Sequence, residues 1–118
     1  MITAEIKRLH SPDILDLATY EPEVPDTFGF LLQIMAGPSG LDGEESFDVT
    51  VCAPQWLAER IGPSVLIGRH HLIVNRYDFS SMKQFLEDYC SKCTGNSWQE
   101  VAEQLGRIGK WEFEDFRP

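Results

Sequence analysis

A chain of 118 residues, 42% apolar and 25% charged, is long enough to close one core without staples, and this makeup excludes disorder over most of its length. Its formal charge of −9, from 19 acids against 10 bases, argues against nucleic acid and anionic membranes as partners. Three cysteines, an odd number, exclude a complete disulfide framework and fit a reducing compartment.

Residues 2–9 alternate, with Ile2, Ala4 and Ile6 on one side and Thr3, Glu5 and Lys7 on the other, the pattern of a strand. Ser11-Pro12-Asp13 opens a turn or short helical stretch, in which Ile14, Leu15 and Leu17 have helix-like spacing. Residues 19–27 hold two prolines and three acids and read as a loop. The run FGFLLQIMA over 28–36 is apolar on much of both faces, as a buried strand is. A glycine-rich loop over 37–45 follows, then alternation from Ser46 to Cys52, which together predict an antiparallel hairpin with a long tip.

Pro54 suits a first helical turn, Trp56, Leu57 and Ile61 give it an apolar stripe, and Gly62-Pro63 ends it. Residues 70–77 predict another strand, centred on Leu72, Ile73 and Val74. Ser81 and Gln84 have capping-box spacing ahead of a helical stripe formed by Met82, Phe85, Leu86, Tyr89, Cys90 and Cys93. Thr94-Gly95-Asn96 breaks that helix. Ser97 and Glu100 then open a second, with Trp98, Val101, Ala102 and Leu105 on its stripe. Residues 111–116 alternate aromatic and acidic side chains and predict a short final strand.

The expected architecture is one α+β domain over 1–118, with a mostly antiparallel sheet of about four to five strands and helices packed on one face. No stretch approaches the ~20 apolar residues of a membrane helix, and the opening residues lack a signal-peptide core, so the expected compartment is the cytoplasm.

Few constellations carry chemistry. Cys90-x-x-Cys93 places two thiols on one helical face, but at the helix end, away from the pole that activates a redox thiol. Cys52 with His70 or His71 would have to complete a metal set, and no second CxxC exists. Adjacent strand histidines point to opposite faces, so His70 and His71 do not form a joint site. Dinucleotide, phosphate-loop, serine-hydrolase and zinc-protease signatures are missing. No enzyme, cofactor or metal is expected. A small metal- or thiol-dependent protein using Cys52, Cys90 and Cys93 stays open as an alternative, as does a generic acidic adaptor.

Charge distribution says more than its total. From Leu9 to Glu59 there is no Lys or Arg but ten acids, whereas the rest of the chain is nearly neutral. Such a half attracts basic proteins and speeds encounter with them, and it also serves plain solubility.

The pieces KRLHSPDI (Lys7 to Ile14), FGFLLQ (Phe28 to Gln33), GEESFDVTVCAPQWL (Gly43 to Leu57), GRHHLIV (Gly68 to Val74), SWQEVAEQL (Ser97 to Leu105) and GKWEFEDF (Gly109 to Phe116) occur in that order over nearly the whole chain. In this order and spacing the chain resembles the immunity protein 8 family of bacterial polymorphic toxin systems. The resemblance implies an α+β protein that binds and blocks a cognate toxin domain. It carries over no binding residues. Joined to the charge asymmetry, it makes Glu21, Glu23, Asp26, Asp42, Glu44, Glu45 and Asp48 the expected toxin contacts, set against a basic groove such as a nuclease uses to hold phosphates. Toxin identity, oligomeric state and strand order are left open by the sequence.

Overall fold

The structure, a computed structural model, describes residues 1–115. In chain order its elements are β1 (Ile2–His10), β2 (Gly29–Pro38), β3 (Glu45–Cys52), α1 (Pro54–Ile61), β4 (His71–Ile73), α2 (Phe79–Ser91), β5 (Thr94–Gly95), α3 (Trp98–Leu105) and β6 (Lys110–Trp111). The six strands form one sheet in the order β4-β3-β2-β1-β5, with β6 also paired to β3. All pairings are antiparallel except β3 with β4. A parallel pair needs a crossover, and α1 with the loop after it provides one.

Alternation along the hairpin sets the two faces. Phe30, Leu32, Ile34 and Ala36 of β2 and Phe47, Val49 and Val51 of β3 point into the core. There they meet Met82, Leu86 and Cys90 of α2 and Val101, Ala102 and Leu105 of α3. Leu86 and Val101 are completely buried, and each such side chain stabilises the fold by roughly 1.5–3 kcal/mol. Leu31, Gln33, Met35, Ser46, Asp48 and Thr50 alternate with the core residues and are half-buried on the opposite face. On that side Trp56 of α1 lies over Gly29, so closely that a Cβ there would come within 2.2 Å of its ring.

Local chemistry explains the helix starts. Ser97 Oγ accepts from Glu100 N–H at 3.2 Å, and Glu100 Oε2 reaches back to Asn96 N–H at 2.7 Å, which satisfies donors at the start of α3. The expected cap of α2 is displaced. Asp78 holds that place, its carboxylate accepting from Ser81 N–H at 3.1 Å, so the helix begins at Phe79 and Ser81 falls within its first turn.

Two other expectations change, and one choice is resolved. Of the turn and the short helical stretch open after Ser11, the chain takes bends and a turn: Ser11 Oγ takes the N–H groups of Asp13 and Ile14, and Asp16 takes that of Ala18. This segment is then pinned by Tyr20, packed edge-on against Phe30 and Tyr77, and by Tyr77 O–H donating to Leu17 O at 2.5 Å. The strand expected over 70–77 shrinks to His71–Ile73: at its start His70 takes a left-handed backbone (φ 61°) and its Nε2 hydrogen-bonds Gly106 O at 2.8 Å, and past Val74 the chain bends at Asn75 and Arg76. The final strand is Lys110–Trp111, followed by a turn over 112–115 in which Glu114 N–H bonds Trp111 O, while Phe116 lies outside the described residues.

Candidate functional site

The seven acids singled out from the sequence do not form one continuous surface. Glu21, Glu23 and Asp26 are exposed on the loop leading into Gly29, whereas Asp42, Glu44 and Glu45 lie at the far end of the β2–β3 hairpin. The ten residues of β2 separate the two groups by about 30 Å.

At the tip the chain folds tightly on itself. A Cβ on Gly37 would lie 2.0 Å from Gly43 O, so only glycine permits this approach, and Gly40 and Gly43 have positive φ angles of 77° and 107°. The tip acids then take different tasks. Glu45 Oε1 accepts the indole N–H of Trp98 at 2.5 Å and that of Trp111 at 3.0 Å, which ties α3 and β6 to the start of β3. Glu44 Oε1 pairs with Arg8 Nε at 2.8 Å. Asp42 is exposed. Together with Ala36, Pro38 and Trp98 they wall a recess of about 330 Å³. Its lining sets three acidic residues beside an aromatic ring, two of them already engaged, Glu45 by the indoles and Glu44 by Arg8.

Asp48 sits apart, half-buried in mid-strand between Gln33 and Lys110 in register. Its Oδ1 is buried and has no hydrogen-bond partner, the one such side-chain atom among the described residues. A polar atom left in that condition costs on the order of 1–3 kcal/mol.

The tryptophans divide as well. Trp98 and Trp56, on the apolar stripes of their helices, are half-buried: Trp98 packs against the core and spends its N–H on Glu45, and Trp56 carries Arg60 above its ring at 5.3 Å. Trp111 stacks on Phe47. The role of Glu45 was invisible in the sequence, because its two indole partners are 53 and 66 residues away.

The three thiols are free and buried. Burial, with Cys93 and Glu87 nearby, pushes the Cys90 thiol up to about 12, and burial likewise raises Cys52 and Cys93. A thiol held neutral in this way is a poor nucleophile. Among the described residues no group of three His, Cys, Asp or Glu side chains is placed to hold a metal ion, and no helix is long and apolar enough to cross a membrane.

No curated protein and no solved structure matches the chain. The family model of Immunity protein 8 matches it over residues 4–116. A match of that extent covers every strand and helix but the first residues of β1, and the chain therefore belongs to the immunity protein 8 family, as an immunity protein against a toxin.

Proposed function

We propose that the chain neutralises its toxin stoichiometrically, as a binding protein without chemistry of its own, by placing the acidic hairpin tip on a basic, substrate-holding groove of a nuclease-type toxin domain in the cytoplasm. The observation that carries this reading is charge segregation: ten acids and no base between Leu9 and Glu59, some of them walling the recess that contains Trp98. In such a groove Lys and Arg would otherwise hold phosphates, and carboxylates substitute for them. Asp42 and Glu44 are the contacts best presented for this. The loop acids Glu21, Glu23 and Asp26 steer encounter from the other end, where their field adds to the on-rate. Asp48 is half-buried in mid-strand, and its buried Oδ1 keeps it out of the proposed contact.

The test is growth of bacteria expressing the toxin domain encoded beside this gene, with and without the chain, coupled to titration of the purified pair. Rescue by this chain and not by an unrelated acidic domain, with inhibition complete at one equivalent, is expected. Turnover-like inhibition at a small fraction of an equivalent would overturn the stoichiometric reading. Failure to rescue with both proteins present and folded would overturn the pairing.

A further inference from the structure

The sheet has two ends, and they are finished differently. At one end β5 covers only Ile2 and Thr3 of β1, and its own outer side is closed by a side chain. Gln104 Oε1 accepts Thr94 N–H at 3.2 Å while Gln104 Nε2 donates to Thr94 O at 2.7 Å, so one carboxamide imitates a neighbouring strand. Further along, β1 is blunted by a register break between Ile6 and Arg8 and by the charges of Lys7 and Arg8. Charges and bulges of this kind keep other chains from pairing with an edge.

The β4 end has none of these devices. Thr50 N–H donates to His70 O at 3.0 Å and Val74 N–H to Cys52 O at 2.9 Å, so residues 70, 72 and 74 face β3. By alternation the N–H and C=O of His71 and Ile73 point outward, where no described residue pairs with them. A hollow flanks each side of this edge, one apolar and one mixed. The apolar one, of about 230 Å³, lies between Ile73, Val74, Met82 and Phe85. The mixed one, of about 320 Å³, lies between Leu31, Thr50, Trp56, Arg60, Leu66 and His71. Ile73 and Phe85 are 51% and 55% exposed, and in the preceding loop Val65 and Ile67 are 95% and 81% exposed. Outward backbone groups between two hollows are what an added strand requires: the main chain supplies hydrogen bonds and alternate side chains enter the pockets.

Charge selects the occupant. In a chain with 19 acids, residues 60–77 contain none, while they carry Arg60, Arg69, Arg76, His70 and His71. Arg69 is engaged by Glu114 at 3.1 Å, which leaves Arg60 and Arg76 on the rim. The two acids lining the hollows are already bound, Asp13 to Leu31 N–H and Asp78 to Ser81 N–H.

We propose that the outer edge of β4 is a strand-docking site for an extended segment of the toxin domain, apolar at alternate positions and flanked by acids. This inference rests on the toxin-binding reading and adds a second, oppositely charged contact to it.

The test is residue-resolved amide hydrogen exchange of the full chain, free and with the purified toxin domain, combined with the affinities of Ile73→Pro and Arg76→Glu. Ile73→Pro removes one outward donor and none of the bonds to β3. Should that variant fail to fold, exposed Arg76 supplies an independent arm. Expected are slowed exchange at His71 and Ile73 in the complex, a loss of affinity of about 100-fold for folded Ile73→Pro, and a loss of about tenfold for Arg76→Glu. Toxin bound with His71 and Ile73 exchanging as in the free chain would overturn the inference and leave the immunity reading standing. Protection that appears without toxin and grows with chain concentration would assign the edge to a second copy, and so overturn it too. No binding of toxin by the unmodified chain would overturn both.

Discussion

At the tip of the β2–β3 hairpin, Glu45 holds two indole N–H groups, Glu44 holds Arg8, and Gly43 closes on Gly37. At β4, by contrast, His71 and Ile73 hold backbone groups outward beside exposed Ile73 and Phe85. The tip is acidic and internally committed; the edge strand carries no acid of its own, and the two acids lining its hollows are hydrogen-bonded. The difference separates charge from available charge. Seven acids drew notice in the sequence as a possible binding surface, yet Glu45 is part of the framework and Glu44 is half of an ion pair. Sites open to a partner are better found by asking which exposed polar groups lack one, and that question leads to the β4 edge.

The largest expected effect tests the structural role of Glu45. Glu45→Ala leaves both indole N–H groups without their carboxylate and should lower unfolding free energy by about 2–3 kcal/mol, measured by urea denaturation. An unchanged midpoint with unchanged slope would mean that the two indoles do not depend on it, and the contrast with Glu44 would disappear. A charge-reversal set that included Glu45 would therefore confuse folding with binding.

Asp42→Lys combined with Glu44→Lys sharpens the same contrast from the other side. It should weaken toxin binding by about tenfold, or ~1.4 kcal/mol, mostly through association rate, and that loss should shrink as salt is added. Stability should change by less than about 1 kcal/mol, since the Arg8–Glu44 pair is exposed. Equal affinity for the double variant and the parent, by surface plasmon resonance, would remove the tip from the interface.

The smallest effect concerns the finished end of the sheet. Gln104→Ala uncaps Thr94 and should cost about 1 kcal/mol while speeding amide exchange at Thr94. If Thr94 exchange is unaltered, the carboxamide does not close that edge, and the distinction between the two ends of the sheet weakens.

Much of the architecture was legible because it depends on neighbours in sequence. Helical spacing set the cap at Ser97, the stripe Val101-Ala102-Leu105 and most of the α2 stripe, where Met82, Leu86 and Cys90 are buried while Phe85 is 55% exposed and Cys93 lies past the helix end. The hairpin strands were legible by their alternation. What escaped had no period to read. β5 has two residues, and pairing with Ile2 and Thr3 from the far end of the chain is all that makes it a strand. Residues 14–17 have helical spacing, yet Ser11 and Asp16 side chains capture the backbone N–H groups first. The acids of the candidate site were legible as charges, but their division between opposite ends of the hairpin was not.

By itself, then, the sequence determined the α+β class, the apolar faces of α2 and α3, the charge-segregated halves and the immunity protein 8 resemblance that the family match establishes. These follow from composition, local spacing and ordered motifs. Tertiary structure decided which acids remain available, which sheet edge is left open and which backbone groups it presents. Those properties depend on partners dozens of residues away, such as the indoles on Glu45 and the carboxamide on Thr94, and local spacing carries no record of contacts made only when distant segments meet.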